Sequence, residues 1–201
     1  MTAAVIFDVG AVLIEWHPRH LYSKLLADDA AIHAFLEEID FQDWNERLDA
    51  GDMWDEAISR AVARYPHRKA LIEAAHHRWH EMVPGAIDGT ILILEQLAAK
   101  GVPLYAITNF SAEKFAETRV RFPFFAHFRD IVVSGEERLL KPDPAIYDLC
   151  LQRNGLEAEA CVFVDSAPRN VAGATAVGID AILFETPRQL ARDLAARGIL
   201  P

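Results

Sequence analysis

The chain contains 201 residues, of which 52% are hydrophobic and 25% are charged, a composition typical of globular rather than disordered proteins. This length allows one well-buried core and a small second module. The formal net charge of −10 argues against a nucleic-acid or anionic-membrane partner, because both require clustered Lys and Arg side chains.

Five short apolar runs are predicted to be the buried strands of a parallel sheet. They are almost continuously hydrophobic rather than alternating, as expected where helices cover both faces of a sheet. Capping residues and prolines between the runs predict helices, so the chain has the alternating pattern of a doubly wound, Rossmann-like α/β fold. The predicted strands are Ala4–Phe7, Pro103–Ile107, Asp130–Val133, Cys161–Val164 and Ala181–Phe184.

The stretch between the first two predicted strands has a purely helical pattern. Four segments in it predict four helices, which would form an inserted helical cap. Pro84 and Gly85 mark the return to the α/β pattern. The predicted division is an α/β core at residues 1–16 and 84–201 and a helical cap at residues 17–83. The four helical segments are residues 20–28, 30–39, 53–65 and 69–82.

No targeting or membrane-spanning segment is expected. The N-terminal apolar run lacks basic residues before it and is interrupted by Asp8, unlike a signal peptide. No apolar run approaches the ~20 residues of a transmembrane helix. Cys150 and Cys161 are predicted to be reduced core thiols. We therefore expect a cytoplasmic protein that acts on a small molecule, and the oligomeric state stays open.

Polar residues follow the predicted strands at the edge of the sheet where ligands bind in open α/β folds. A set of carboxylates, a hydroxyl and an ammonium at one edge suits attack on a phosphate group. Asp8 would be the nucleophile, Thr108 and Lys141 would bind anionic oxygens, and the two acids would surround a magnesium ion. The residues concerned are Asp8, Thr108, Asn109, Lys141 and Asp165.

Four segments carry these residues: Phe-Asp-x-Gly-x-Val-Leu, Thr-Asn, Lys-Pro-Asp-Pro-x-Ile-Tyr and Phe-Val-Asp-Ser-x-x-x-Asn-Val. In order and spacing they resemble the motifs of the haloacid dehalogenase superfamily over the whole chain, nearest to its sugar-phosphate phosphatase-like branch, and the helical insertion resembles that family's small cap. The resemblance implies a hydrolase that forms a covalent aspartyl-phosphate on Asp8. It also implies Mg²⁺ as a cofactor, held by Asp8, Asp165 and the backbone carbonyl of Gly10.

Two positions depart from the pattern of the family's phosphatases. Gly10 stands where a second Asp usually protonates the leaving group, and Ser166 stands where a second Asp often contacts magnesium. General acid catalysis is worth ~100- to 10,000-fold, so we expect slow turnover or a substrate with a good leaving group, such as a sugar 1-phosphate or an acyl phosphate. Magnesium binding should also be weakened. Glu15 and His17, close to Asp8 in sequence, are candidates for the replacement acid.

Two alternatives remain open: a metal-independent 2-haloacid dehalogenase, and a catalytically silent relative that binds a metabolite. The dehalogenases of the superfamily also lack the second Asp, and Tyr147, six residues after Lys141, matches their pattern. Asp165, however, stands where their Ser-Ser-Asn motif begins, and a carboxylate there favours a metal. Hydrolysis of a phosphate ester is therefore the preferred prediction.

Substrate specificity is expected to come from the cap, as the resemblance implies. Trp44 and Asn45, together with Asp49 and Gly51, are predicted to form a loop that faces the active site. Trp44 and Asn45 are the candidate substrate-binding residues of this loop.

Overall fold

The computed structural model describes residues 4–200, and its strands form one parallel sheet. In sheet order the strands are β3, β2, β1, β4 and β5. Their bounds are Ala4–Phe7 for β1, Leu104–Thr108 for β2, Asp130–Val133 for β3, Cys161–Asp165 for β4 and Asp180–Leu183 for β5. The strand order and the parallel pairing confirm the predicted doubly wound α/β fold, with bounds that differ from the predicted ones by one residue in β2, β4 and β5.

Side chains of the central strand β1 point alternately into two hydrophobic clusters, one on each face of the sheet. Val5 and Phe7 belong to the larger cluster, whereas Ala4 and Ile6 belong to the smaller one. Both faces of β1 are fully buried under helices, which explains why its sequence is continuously apolar.

The segment between β1 and β2 is helical, as predicted, but its helices differ from the predicted set. The segment from residue 20 to 28 forms a helix only in its first turn, and residues 41–49, predicted as part of a loop, form a regular helix. The helices are α1 (Arg19–Tyr22), α2 (Asp29–Glu38), α3 (Phe41–Asp49), α4 (Trp54–Arg64) and α5 (Lys69–His77), with 3-10 turns at Pro66–Arg68 and Trp79–Met82. The division into a core and a cap stays a proposal, and residues 1–3 and 201, assigned to the core, lie outside the described residues.

Three of the helices that follow the predicted cap segment begin at capping residues that the sequence indicated. Ser111, Asp143 and Thr186 each accept a hydrogen bond on their side chain from a backbone N–H in the first turn of the following helix. The helices after that segment are α6 (Asp88–Ala99), α7 (Ala112–Arg121), α8 (Ser134–Glu137), α9 (Pro144–Asn154), α10 (Pro168–Ala176) and α11 (Pro187–Ala196), with 3-10 turns at Pro123–His127 and Ala158–Ala160.

Cys150 and Cys161 are both buried and free, as predicted. Burial raises the pKa of the Cys150 thiol to about 12 and that of the Cys161 thiol to about 11, so both groups stay protonated and unreactive at neutral pH. Over residues 4–200, no helix combines the length and the apolar character needed to cross a bilayer.

Candidate active site

Asp8, Lys141 and Asp165 meet at the carboxyl ends of β1 and β4. The Lys141 Nζ lies 2.8 Å from Asp8 Oδ1 and 2.6 Å from Asp165 Oδ2. The three residues are 8%, 1% and 0% exposed, respectively. One buried cation therefore lies between two buried carboxylates, and the group carries a formal charge of −1 when all three side chains are ionised.

Asp8 comes directly after β1, where its backbone N–H still donates to Val164 of β4. Burial, followed by the negative charge of Asp165, raises the pKa of Asp8 to about 7, and Lys141 opposes the shift. The Oδ1 atom of Asp8 accepts a 2.7 Å hydrogen bond from the Val9 N–H. Asp8 also lines a cavity, as expected of a nucleophile.

Lys141 reaches the site from the loop before α9, and Asn109 fixes that loop. The Asn109 side chain accepts from the Lys141 N–H at 2.8 Å and donates to the Lys141 carbonyl at 3.0 Å. The Lys141 ammonium also donates to the Ile107 carbonyl at 2.9 Å. Although burial works against it, the nearby Asp8 and Asp165 carboxylates hold the pKa of Lys141 above its ordinary value, so it stays charged.

Asp165 is the last residue of β4 and lies beneath the cavity rather than on its surface. Its carboxylate accepts from the Ala167 N–H at 2.8 Å and from the Asn170 side-chain amide at 3.2 and 3.0 Å. Because the Asn170 NH₂ group donates to this carboxylate, the side-chain oxygen of Asn170 stays available as an acceptor. That oxygen is buried without a hydrogen-bond partner, and Asn170 lines the cavity.

Thr108, the last residue of β2, also carries a buried oxygen without a partner. A buried hydroxyl left unpaired costs about 1–3 kcal/mol, so such groups in a native protein call for an explanation. A bound anion or water would satisfy the Thr108 hydroxyl, which agrees with the predicted role of this residue.

The cavity above Asp8 has a volume of about 270 Å³. Of the predicted substrate-binding pair, the structure places Asn45 on its wall but not Trp44. Trp44 packs behind the wall, edge-on against Trp54, and lines a separate pocket between α3 and α4. The residues around the cavity include Gly10, Asn45, Asp49, Trp54, Asn109, Ser111, Lys114, Ser166 and Asn170.

The two acids suggested by proximity to Asp8 in sequence do not reach this cavity. Glu15 and His17 are both exposed, and neither belongs to the residues that line it. The His17 ring instead accepts a hydrogen bond from the Arg19 N–H at 3.0 Å.

Oxygen donors at the cavity suit a magnesium ion. Within residues 4–200 no group of three or more His, Cys, Asp or Glu side chains is placed to hold a metal. Asp8, Gly10 and Asn170 nevertheless line the cavity, and the Asn170 oxygen has no hydrogen-bond partner. Mg²⁺ is commonly held by one or two carboxylates together with water and substrate phosphate, so the residues present fit this ion.

Trp54 and Lys114 are cavity residues that the sequence did not single out. The Trp54 indole donates to Ser111 Oγ at 2.8 Å, and the Lys114 ammonium lies 5.3 Å from the centre of a Trp54 ring. Lys114 is 3% exposed although it is a lysine at the start of α7. Lys114 lies three residues after the Ser111 cap, so the sequence indicates that it lies in the first turn of α7. That this turn lines the cavity depends on the position of α4, which the sequence does not indicate.

The sequence pattern that defines the haloacid dehalogenase-like hydrolases matches residues 33–184. The chain belongs to the haloacid dehalogenase-like hydrolase family. The strand order, the position of Asp8 after β1 and the buried Lys141 agree with this membership.

Curated relatives of this hydrolase include phosphatases. It is 30% identical to flavin mononucleotide hydrolase 1 of Arabidopsis thaliana over 56% of the chain and 46% of the relative. It is 33% identical to acyl-CoA dehydrogenase family member 10 of Mus musculus over 96% of the chain but only 19% of that protein. It is 32% identical to the glyceraldehyde 3-phosphate phosphatase of Methanopyrus kandleri over 89% of the chain and 82% of the relative. The chain therefore spans less than half the length of the first two relatives.

Solved structures share the fold of this hydrolase at low sequence identity. A predicted family hydrolase from Porphyromonas gingivalis superimposes with a TM-score of 0.74 at 16% identity over 98% of both chains. A family enzyme from Bacteroides thetaiotaomicron in complex with magnesium and inorganic phosphate gives 0.70 at 17% identity over 92% of this chain and 96% of that one. The L-2-haloacid dehalogenase of Xanthobacter autotrophicus superimposes with a TM-score of 0.66 at 17% identity over 100% of this chain and 85% of that one.

Proposed function

We propose that this hydrolase cleaves small phosphate monoesters through a covalent aspartyl-phosphate on Asp8. The observation that carries the proposal is the buried group of Asp8, Lys141 and Asp165 at the base of a cavity of about 270 Å³. A carboxylate that faces the cavity is available as the nucleophile, and a fixed cation beside it is available to stabilise the charge of a phosphoryl group.

Each of the other predicted catalytic residues has a role in this reaction. The unpaired Thr108 hydroxyl would donate to a phosphoryl oxygen, and the Lys141 ammonium would neutralise a second one. Asn109 would hold the Lys141 loop in place through its paired hydrogen bonds. Asp165 would keep Lys141 charged and oriented towards Asp8.

We further propose that the reaction uses Mg²⁺, held by Asp8, the Gly10 carbonyl and Asp165, with the Asn170 oxygen as an additional donor. The ion would supply positive charge that offsets the charge of the phosphate. Two features predict weak binding: Ser166 replaces an acid of the family, and the Asp165 carboxylate already accepts hydrogen bonds from Lys141, Ala167 and Asn170.

Two curated relatives support a phosphorylated substrate, because their names describe hydrolysis of flavin mononucleotide and of glyceraldehyde 3-phosphate. The cavity of about 270 Å³ suits a small metabolite rather than a polymer. Asn45 and the indole of Trp54 would contact the organic part of the substrate.

The structural likeness to a haloacid dehalogenase keeps carbon–halogen cleavage as the second candidate. The Asp165 carboxylate argues against it, because with Asp8 and Lys141 it leaves a formal charge of −1 that a metal ion would offset. The Tyr147 hydroxyl donates to the Asn170 carbonyl in the first turn of α10 at 2.8 Å, which gives Tyr147 a structural role.

Phosphate release from sugar phosphates, acyl phosphates and p-nitrophenyl phosphate tests the proposal. The wild type is assayed with magnesium and with EDTA, and Asp8→Asn is assayed in parallel. We expect release that requires magnesium and that Asp8→Asn abolishes, while a folded Asp8→Asn protein is confirmed by its thermal unfolding curve.

Full activity in Asp8→Asn would refute the aspartyl-phosphate mechanism. An absence of phosphate release from every ester, combined with halide release from 2-chloropropionate in EDTA, would instead establish the dehalogenase. If neither product is released, the chain is a silent relative of the family.

A further inference from the structure

The proposed reaction needs an acid that Gly10 cannot supply. When the phosphoryl group moves to Asp8, the departing oxygen of the ester must take up a proton, and a poor leaving group requires a proton donor close to it. Among the described residues, the acidic side chains that line the cavity are those of Asp8 and Asp49. Since Asp8 is committed to attack, Asp49 is the acid available.

Asp49 is the last residue of α3, and contacts with the core hold its backbone over the sheet edge. Its carbonyl accepts a 2.6 Å hydrogen bond from the Ser134 hydroxyl, and the same hydroxyl accepts from the Phe110 N–H at 2.9 Å. Phe110 comes two residues after Thr108 at the end of β2. One serine therefore links the helix that carries Asp49 to the strand end that carries the phosphate-binding residues.

The next turn of the chain also approaches the core closely. Gly51 has a φ of +104°, and a Cβ atom at this position would lie 3.1 Å from the Gly135 carbonyl and 3.2 Å from the Arg138 side chain. A glycine is required both for the positive φ and for the close approach. The end of α3 is thus packed against the start of α8.

The surroundings of the Asp49 carboxyl favour its protonated form. Burial raises the pKa of Asp49 to about 8, and the negative charges of Glu46 and Asp8 add to the shift. Hydrogen bonds from the Ser111 backbone and the Asn45 side chain oppose it, the latter at 2.9 Å. At neutral pH the group therefore holds the proton that a general acid must donate.

We propose that Asp49 is the general acid and base of this hydrolase, in place of the acid missing at Gly10, an inference that rests on the proposed function. In the first step Asp8 attacks phosphorus, the ester P–O bond breaks, and the departing oxygen takes the proton of Asp49 to leave as an alcohol. In the second step water attacks phosphorus and gives a proton to the Asp49 carboxylate. The bond to Asp8 breaks, and inorganic phosphate leaves.

Asp49→Asn tests this role because asparagine has the same shape but cannot exchange the proton. Asp43→Asn is the matched control, since Asp43 is an exposed acid on the same helix that does not line the cavity. Both variants and the wild type are assayed with an alkyl phosphate, whose leaving group needs a proton, and with p-nitrophenyl phosphate, whose leaving group does not.

We expect kcat/KM of Asp49→Asn for the alkyl ester to fall by ~100- to 10,000-fold, and that for p-nitrophenyl phosphate to fall by less than about tenfold. With p-nitrophenyl phosphate, loss of the base also slows the second step. The variant should therefore release a rapid burst of about one p-nitrophenol per active site before slow turnover. Asp43→Asn should match the wild type with both esters.

The outcomes separate this role from the proposed function. Absence of phosphate release by the wild type would refute the proposed function and the Asp49 role together. Release by the wild type that Asp8→Asn abolishes, combined with equal losses for the two esters in Asp49→Asn and no burst, would overturn the Asp49 role alone. Unchanged activity of Asp49→Asn with the alkyl ester would overturn it as well.

Discussion

Lys141→Met is expected to destabilise the protein strongly, because it leaves two buried carboxylates without their cation. The Lys141 ammonium lies 2.8 Å from Asp8 and 2.6 Å from Asp165, and it is 1% exposed. Methionine has a similar volume and an unbranched chain, so the substitution removes the charge without creating a large cavity. The remaining effect is electrostatic.

Removing one partner of a buried ion pair costs about 3–5 kcal/mol in the free energy of unfolding. For a chain of this length each 1 kcal/mol lowers Tm by about 2–4 °C, which gives an expected fall of about 6–20 °C. Protonation of a carboxylate relieves the repulsion. Lys141 lowers the pKa of Asp8, which is about 7 in the wild type, so the variant should take up this proton at a higher pH and its loss of stability should shrink as the pH falls.

Thermal unfolding in EDTA measures this effect without a divalent cation in place of the lysine. Lys69→Met, at an exposed lysine 3.7 Å from Glu73, is the control and should change stability by less than about 0.5 kcal/mol. The double variant with Asp8→Asn should recover part of the loss, because only one buried carboxylate then remains. Wild-type stability of Lys141→Met at neutral pH would refute the reasoning, as would a double variant less stable than the single one.

Three further changes test the site. Burial raises the pKa of Asp49 from 3.8 to about 8, so the folded protein keeps a proton that the unfolded chain releases, and stability falls as pH rises through this window. Relative to the wild type, Asp49→Asn should thus gain about 4 kcal/mol between about pH 5 and about pH 9 in urea unfolding, at ~1.4 kcal/mol for each of roughly three pH units; a constant difference would contradict this. Asn109→Ala removes both hydrogen bonds to the Lys141 backbone and should cost about 1–3 kcal/mol and slow phosphate release; wild-type kinetics would argue against a positioning role. Ser134→Ala removes the donor to the Asp49 carbonyl and should lower kcat/KM more for an alkyl phosphate than for p-nitrophenyl phosphate, whereas equal losses would show a general effect on folding.

The strands were predictable because both of their faces are buried. A short, continuously apolar run such as Ala4–Phe7 is typical of a strand that is buried on both faces. In a parallel sheet, the carboxyl ends of such strands lie at one edge. The juxtaposition of Asp8, Lys141 and Asp165 follows from that arrangement. The errors of one residue in β2, β4 and β5 involve Thr108, Asp165 and Asp180, which are polar yet still pair with the neighbouring strand.

The helix that carries Asp49 was not predictable from hydrophobic periodicity. Only Phe41 and Leu48, two turns apart, are buried in α3, and the residues between them are mostly polar. Such a helix is stabilised by its packing partners rather than by its own pattern. Trp44 was expected at the cavity because its segment was predicted to be a loop that faces the active site, but its ring packs between Phe41 and Trp54 instead.

With the general acid on α3, nucleophilic attack by Asp8 and proton transfer by Asp49 depend on different parts of the structure. The position of Asp8 is set by β1 and by its ion pair with Lys141, whereas the position of Asp49 is set by the contact of α3 with Ser134 and by the glycine at residue 51. An acid two residues after the nucleophile would move with it on the same loop. An acid on a separate helix is correctly placed only when that helix is packed against the sheet edge. Changes at the contact between α3 and α8 should therefore alter which esters are cleaved, through the acidity that their leaving groups require, without altering the reactivity of Asp8.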